Sequence, residues 1–348
     1  MRILSGIQPS NKIHIGNYFG ALKQFVDLQN EPGEALFFIA DHHALTTVHD
    51  GPRLDQLSVD VALDYLACGL DPERCTLFRQ SDIPEVTELF WYLLTVTPMG
   101  LLEKAVSYKD KVARGFPAEA GLFTYPVLMA ADILAYGSDL VPVGRDQQQH
   151  LEIARDIAIK FNLRYVPKYD PSQPDGDKKG RGRGLLRLPQ ARVIESTAVV
   201  PGTDNQKMSK SYGNVIEVFA DDATVKKQIM GLKTDSASVE DPKDPAATPI
   251  LPLLRLFAPA DEIAEHERTF AAGGLGYGHY KARLLELFHA TFGEARARRR
   301  DLANNRDHVE QVLRDGARKA RAHAAPVLDG VRRAVGTAGA LHAKAPTP

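Results

Sequence analysis

The sequence contains little cysteine and little tryptophan, and its charges nearly cancel. Its 348 residues include two cysteines and one tryptophan, and the formal net charge is −1 at pH 7. Cys68 and Cys75 have no cluster of histidines or further cysteines nearby. This arrangement is poor for a metal site and predicts reduced thiols in a cytosolic protein. The balanced charge excludes a global positive field that would attract nucleic acid.

Long apolar runs are missing as well. No stretch is apolar enough to span a bilayer, and the N-terminus lacks the charged and long apolar regions of a signal peptide. The sequence also lacks the Gly-x-x-x-x-Gly-Lys-Ser/Thr motif that binds phosphates. We therefore expect a cytoplasmic protein without a membrane segment, in which any phosphate site is built in another way.

Strand and helix patterns alternate through the first part of the chain. A fully apolar run at 35–40 predicts a strand covered on both faces, and further strands are predicted at 76–79 and 140–144. Helical spacing of apolar residues predicts helices ending at Gly69 and covering 146–161, with a mostly helical stretch at 85–136. This order predicts an α/β fold with a doubly wound, Rossmann-like parallel sheet, whose ligands bind at the carboxyl ends of the strands.

We divide the chain into an α/β domain at 1–215 and an all-helical region at 216–335. The first contains a helical insertion at about 82–138 and a proline-rich, basic stretch at about 165–206 that predicts a flexible insertion. In the second, Asp221 is the expected N-cap of a helix through Met230, and helices at 277–292 and from 294 to 335 follow. The last helix is a candidate to pack back on the α/β domain, and 336–348 predicts a disordered tail.

The first chemical motif is the stretch from Gln8 to Asn17, where a short strand breaks at Pro9 and enters a helix. Such a helix start leaves backbone N–H groups free to face an anion, most often a phosphate. His14 and Asn17 are three residues apart, so they share the first turn and can reach the same ligand. The alternative is an ordinary helix cap with an unrelated histidine.

The second motif is Lys207-Met208-Ser209-Lys210-Ser211, which follows a proline- and glycine-rich stretch typical of a mobile loop. Two lysines and two hydroxyls on such a loop can clamp a polyphosphate, because lysine serves as a point charge. We name residues 207–211 the lysine loop. Together the His-Ile-Gly-Asn motif at 14–17 and the lysine loop resemble the motif pair of class I aminoacyl-tRNA synthetases.

A third stretch, from Tyr125 to Leu134, places Asp132 one helical turn after Met129 among apolar residues. Leaving a buried acid without a partner costs several kcal/mol, about 3–5 kcal/mol when one member of a buried pair is removed. Asp132 therefore needs a partner. The alternative to a substrate is a local arginine. The wider sequence, including 144–150 and 277–280, resembles tryptophanyl-tRNA synthetases, in which the matching aspartate accepts the indole N–H.

This resemblance implies the roles of individual residues. It implies catalytic roles for His14, Lys207 and Lys210, and a tryptophan site formed by Tyr125, Met129, Asp132 and Gln147. It implies an ATP site formed by Gln8, Pro9, Ser10, Gly16, Asn17, Gly144, Arg145, Asp146, Val193, Lys207, Met208, Ser209, Lys210 and Ser211. Arg145 stands where an acidic residue is expected in this family. Adjacent His42 and His43 suggest a metal, but successive residues on a strand point to opposite faces, so no metal site is predicted.

The resemblance also implies partners. Besides L-tryptophan and ATP with Mg²⁺, it implies tRNA(Trp), whose anticodon the helical region would read, and a homodimer. Clustered arginines such as 298–300 favour an RNA contact, although a charged helix face is more often simply solvated. Two alternatives remain at this point. One is a tyrosyl-tRNA synthetase, and the other is an RNA-binding or regulatory paralogue that has lost catalysis.

Overall fold

The computed structural model describes residues 1–9, 12–104, 108, 113, 115, 117–144, 147–193 and 200–338, with the side chain of Val193 excepted. A five-stranded sheet lies at its centre, with strands β1 (Arg2–Ile7), β2 (Glu34–Ile39), β3 (Thr76–Arg79), β4 (Leu140–Val143) and β5 (Gln190–Val193). The strand order is β3-β2-β1-β4-β5, and every pairing is parallel. The predicted Rossmann-like sheet is therefore confirmed.

Successive side chains of each strand point to opposite faces of the sheet, and each face packs against its own apolar cluster. Ile3 and Phe37 belong to one apolar cluster, whereas Leu4 and Phe38 belong to the other. The order of the strands reverses between β1 and β4, and open parallel sheets bind ligands at such a reversal. The carboxyl ends of β1 and β4 are thus the place where this fold positions a site.

The helices of the first part of the chain lie between the strands in sequence. They are α1 (Ile15–Asn17) continuing through a π-helical turn at Tyr18–Leu22 into α2 (Lys23–Leu28), then α3 (Asp41–Ala44), α4 (Gly51–Ala67), α5 (Pro84–Leu94), α6 (Met99–Glu103), α7 (Ala120–Ala135) and α8 (Gln148–Tyr165). His42 and His43 lie on α3 rather than on a strand. The argument that successive strand residues point to opposite faces, which was made against a metal site, therefore does not apply to them.

Sequence patterns missed β5, which lies inside the stretch predicted to be irregular. Four residues at 190–193 pair with β4 along its whole length. The preceding residues are tied to α8, because the Asn162 amide donates to the carbonyl of Leu186 at 2.8 Å and accepts from its N–H at 3.0 Å. The short edge strand carries Gln190 and Arg192, so its composition does not distinguish it from a loop.

The remaining helices are α9 (Asp222–Met230), α10 (Ile250–Leu254), α11 (Ala260–Ala272), α12 (Tyr277–Ala303) and α13 (Arg306–Val335). Asp221 caps α9 as predicted, since its side chain accepts from the N–H of Thr224. The predicted break near Gly293 is wrong, because α12 runs through it and ends at Ala303. A glycine in a helix costs only about 1 kcal/mol, so it does not force an end. None of the helices in the described ranges is both long and apolar enough to cross a membrane.

Helix α13 packs against the outer strand β3. A Cβ atom added to Gly316 would lie 1.8 Å from the carbonyl oxygen of Leu77, so this helix touches the strand backbone itself. Arg79 at the end of β3 forms a paired hydrogen bond with the Glu310 carboxylate, at 2.9 and 2.5 Å. The long C-terminal helix is thus part of the wall around the sheet.

We predict that Gly316→Ala destabilises the protein by about 1–3 kcal/mol, because the added methyl group overpacks a backbone contact. Gly293→Ala is the matched control, since nothing lies within 4 Å of its added Cβ in α12. That control should stabilise by roughly 0.5–1 kcal/mol, the usual gain of alanine over glycine in a helix. Denaturant unfolding measures both, and equal effects would show that α13 does not pack closely on β3.

Candidate active site

His14 is the N-cap of the helix that follows β1. Its Nδ1 accepts from the backbone N–H of Asn17 at 3.3 Å, and the Asn17 Oδ1 accepts from the backbone N–H of His14 at 3.3 Å. A neutral imidazole whose Nδ1 accepts must carry its proton on Nε2. The turn therefore fixes the ring and presents an Nε2–H donor.

The expectation that this helix start leaves its backbone N–H groups free holds only in part. The backbone N–H groups at the helix start are not all available to a phosphate, because that of Ile15 donates to the carbonyl of Ile216 at 3.0 Å. That of Asn17 is used within the cap. The cap side chains and the pairing with a distant segment satisfy these donors instead. The His14 side chain, more than the free backbone, is thus the feature that this turn offers to a ligand.

The lysine loop is organised around Asn214, which is buried. The Asn214 Oδ1 accepts from the backbone N–H of Ser209 at 2.8 Å, and its Nδ2 donates to the carbonyl of Lys207 at 3.1 Å and to Asp204 at 2.7 Å. Lys210 begins a short 3₁₀ turn that ends at Tyr212. The side chain of Lys207 is exposed. One buried amide thus holds a segment that its composition alone marks as a loop.

The two motifs, far apart in sequence, contact each other in the structure. The N–H of Val218 donates to the carbonyl of Ile13 at 3.1 Å. Together with the Ile15–Ile216 bond, it pairs residues 13–15 with residues 216–218, which begin a few residues after the lysine loop. A Cβ atom on Gly16 would lie 3.0 Å from the His14 ring and 3.4 Å from the Met208 sulfur. The tighter of these distances is to the His14 ring, so a side chain at residue 16 would press on the imidazole, whereas Met208 of the lysine loop lies at ordinary contact distance.

This contact determines the charge of His14. Burial and the nearby ammonium of Lys210 lower the pKa of His14 to about 4. The pKa of Lys210 is itself lowered by burial, while Asp64 and Glu217 act against that shift. His14 is therefore neutral at physiological pH and acts as a hydrogen-bond donor, whereas the lysines supply the positive charge.

A cavity of about 530 Å³ opens between the carboxyl ends of β1 and β4. It is lined by six of the predicted site residues, namely Gln8, Tyr125, Met129, Asp132, Gly144 and Gln147. Apolar side chains such as Ile133, Val141 and Val143 form much of the remaining wall. An apolar cavity with a few polar groups at a strand-order reversal is the usual form of a small-molecule site.

Asp132 lies in the wall of this cavity and is almost completely buried. Its Oδ2 is 2.8 Å from Nε2 of His43, and its Oδ1 accepts from Nε2 of Gln80 at 2.7 Å. Burial raises the pKa of Asp132, while the hydrogen bonds from His43 and Gln80 oppose that shift. The partner of this acid within the chain is therefore a histidine and an amide, not the local arginine considered from the sequence.

Sequence reasoning missed His43, Gln80 and His150 as members of the site. His43 and His150 line the cavity, and Nε2 of His150 lies 2.6 Å from the hydroxyl of Tyr125. The signal was available for two of them, because His43 follows β2 and Gln80 follows β3 directly. Polar residues at the carboxyl ends of parallel strands meet at one edge of the sheet.

The remaining predicted site residues lie in several different places. Pro9 is buried after β1, and Asn17 contacts His14 rather than the cavity. The hydroxyls of Ser209 and Ser211 are 2.8 Å apart. Val193 ends β5. Ser10, Arg145 and Asp146 lie outside the described residues, as does the tail beyond residue 338.

Within the arginine cluster at 298–300, whose contact with RNA stays a prediction, Arg299 pairs with other parts of the protein. Arg299 forms ion pairs with Asp60 and Asp64 on α4, and Arg298 donates to the carbonyl of Ala67 at 3.1 Å. Both side chains therefore hold α12 against the α/β part of the chain. Arg300 is exposed.

Comparison with known proteins agrees with this geometry. The sequence model of the family described as tRNA synthetases class I (W and Y) matches residues 1–293. The tryptophan–tRNA ligase of Fusobacterium nucleatum is 48% identical over 341 residues, which cover 98% of this chain and 99% of that protein. The corresponding enzyme of Rhodopirellula baltica is 49% identical, with 97% and 99% covered.

A solved structure adds the same likeness in three dimensions. The tryptophanyl-tRNA synthetase of Campylobacter jejuni, complexed with ADP and tryptophan, superposes with a TM-score of 0.87 at 47% identity, covering 97% of this chain and all of that one. The Rossmann-like sheet and the paired motifs define a class I aminoacyl-tRNA synthetase. Within that class the chain belongs to the tryptophanyl-tRNA synthetases, and the tyrosyl alternative is set aside.

We predict that Lys210→Met raises the pKa of His14, because a nearby positive charge that opposes protonation is removed. The pKa should stay below 6.5, since burial is the larger cause of the shift. NMR titration of the imidazole C–H signals measures this, with the His14 signal identified by its loss in His14→Asn. Lys207→Met, on the same loop, is the control. An unchanged pKa in Lys210→Met would mean that the two motifs lie apart in solution.

Proposed function

We propose that this chain activates L-tryptophan with ATP to form tryptophanyl-adenylate and then transfers the amino acid to tRNA(Trp) for protein synthesis. The observation that carries this proposal is one juxtaposition. An apolar cavity with the buried Asp132 in its wall begins at the end of β1, and the turn that leaves the same strand carries His14 against the lysine loop. An amino-acid pocket and a phosphate-binding pair thus share one strand end.

The cavity would hold the amino acid. Each oxygen of the Asp132 carboxylate has one donor from the protein and retains a further lone pair, so it can accept the indole N–H as well. Met129 would lie beside the ring, and Tyr125 and Gln147 would hold the α-ammonium group. His43 and Gln80 would orient the carboxylate toward the substrate.

ATP would bind from Gln8 and Gly16 to Gly144, with the lysine loop over its phosphates. A carboxylate oxygen of tryptophan attacks the α-phosphorus, the bond to the bridging oxygen of the β-phosphate breaks, and pyrophosphate leaves. This chemistry requires positioning and charge neutralisation rather than a protein nucleophile. The Nε2–H of His14 donates to the phosphate oxygens, and Lys207 and Lys210 balance the charge that develops on pyrophosphate.

Mg²⁺ would enter as the complex with ATP, because this ion is commonly held by substrate phosphates together with water. It supplies charge neutralisation on the phosphate oxygens when bound. In the second step a ribose hydroxyl of the terminal adenosine of the tRNA attacks the adenylate carbonyl, and AMP leaves. The helical region at 216–335 would contact the anticodon, and we propose a cytoplasmic homodimer.

We predict that the purified protein exchanges labelled pyrophosphate into ATP when tryptophan is present. Each of the twenty amino acids is tested separately, and tryptophan should give by far the highest rate. Exchange with tyrosine alone would overturn the substrate assignment. No exchange with any amino acid would favour the alternative of a paralogue without catalysis.

A second prediction concerns Asp132→Asn. The new amide must place its NH₂ group against Gln80 or His43, both of which already donate to this position. One hydrogen bond within the site is therefore lost, together with the charge-assisted bond to the indole. A site that hydrogen-bonds its substrate can reject an analogue by roughly 10⁴-fold. The ratio of activation efficiencies for tryptophan over tyrosine should therefore fall by about 100-fold or more, mainly through tryptophan.

Asp41→Asn is the matched control for this experiment. Asp41 is also a buried acid at this edge of the sheet, but it accepts from His42 and Ser81 and does not line the cavity. Its replacement should lower stability without changing the ratio. A ratio that stays constant in folded Asp132→Asn would make Asp132 a structural acid.

A further inference from the structure

Two arginines in the last turns of α12, Arg296 and Arg299, contact the segments next to the candidate active site. Arg299 donates from Nε to Oδ1 of Asp64 at 2.6 Å and from Nη2 to Oδ1 of Asp60 at 3.0 Å. Its guanidinium also lies over the ring of Phe219, 5.2 Å from the centroid. Three contacts hold this side chain in one orientation between α4 and the segment that follows the lysine loop.

Asp64 links this arginine to the catalytic turn. Its side chain is only 6% exposed, and the nearby backbone N–H of Ile13 favours the charged form of its carboxylate and so lowers its pKa. Ile13 directly precedes His14. A buried carboxylate needs a positive partner, because leaving it unpaired costs about 3–5 kcal/mol. Arg299 is thus required to keep the Asp64 carboxylate charged beside the Ile13–His14 peptide.

Arg296 holds the second motif in the same way. Its Nη1 donates to the carbonyl of Val218 at 2.7 Å, and its Nη2 donates to Asp222 at 2.7 Å. The N–H of Val218 in turn donates to the carbonyl of Ile13. Arg296 therefore contacts the segment at 216–218 directly, whereas Arg299 reaches the segment at 13–15 only through Asp64.

We propose that Arg299, acting through Asp64, is a positioning residue for adenylate formation. It holds the Ile13–His14 peptide where the His14 Nε2–H meets the phosphates, and it makes the helical region part of the activation machinery. This inference rests on the proposed function. A misplacement of about 1 Å can cost 10²-fold in rate, so a small shift of this turn is sufficient to be measured.

The primary test is Arg299→Met, which keeps the length of the side chain but removes the charge and the hydrogen bonds. The kcat of pyrophosphate exchange should fall by about 10- to 100-fold while the KM for tryptophan stays within about twofold, because the cavity is untouched. Arg299→Lys should retain an intermediate rate. Adding Asp64→Asn to Arg299→Met should cause little further loss, because the two residues act as one unit.

Arg306→Met is the matched control. Arg306 also joins the helical region to α4, through an ion pair with Asp55 at 3.0 Å, but both side chains are largely exposed. Such surface pairs contribute about 0–1 kcal/mol and none of their atoms touch the His14 turn. This variant should keep the wild-type kcat. An equal fall in kcat in both variants would overturn the proposal.

The pH profile separates positioning from general stability. Asp64 is faced by Asp60, Tyr65 and the C-cap residue Cys68 from α4, by Arg299 from α12, and by Lys210 from the lysine loop. Burial raises the pKa of Asp64 to about 6 against the opposing effect of Arg299. Without Arg299 this pKa rises further, so the kcat of Arg299→Met should increase with pH through the neutral range. The double variant with Asp64→Asn should lack that increase.

A measurement independent of activity completes the experiment. The NMR signal of His14 should shift in Arg299→Met and Arg299→Lys and stay in place in Arg306→Met. Absence of wild-type exchange would count against the proposed function alone, because the His14 signal still reports whether Arg299 positions the turn. A His14 signal and a kcat per folded enzyme that are unchanged in both Arg299 variants would overturn the inference.

Discussion

The pairing of residues 13–15 with residues 216–218 is the interaction on which the site depends. It joins the turn after β1 to the segment after the lysine loop, although some 200 residues separate them in the chain. This contact buries His14 beside Lys210, and burial together with that charge keeps the imidazole neutral. A neutral donor and nearby ammonium groups are suited to phosphates without competing for a proton. The chemistry of the turn is thus a consequence of its packing.

The same dependence on packing holds on the amino-acid side of the site. Asp132 lies on the apolar helix α7, and a carboxylate there is stable only because His43 on α3 and Gln80 directly after β3 reach it. Three segments near the carboxyl edge of the sheet therefore create one polar point in an apolar wall. The cavity lies where the order of strands reverses, so its position follows from topology and its selectivity from these few side chains.

Much of this could be predicted from the sequence, because local physics determines it. The apolar run of β2, the bounds of β3 and the cap at Asp221 depend on residues next to one another, and each was found. His14, Lys207, Lys210 and Asp132 were singled out because they lie in motifs that resemble those of the family, and their roles stay predictions. The edge strand β5 was missed, since its polar residues carry no periodic signal and its pairing with β4 is a tertiary contact.

The sequence by itself determined the alternation of strands and helices, the two motifs at 14–17 and 207–211, and the family to which the chain belongs. Only the tertiary structure decided which charges are partners. The arginines of α12 read as an RNA-facing stripe in sequence, yet Arg299 is paired with Asp60 and Asp64, more than 230 positions earlier. The physical reason is that charge pairing depends on distance in space, which a linear pattern does not contain. Asp132 likewise required a partner by its burial, but only the fold could identify that partner as His43.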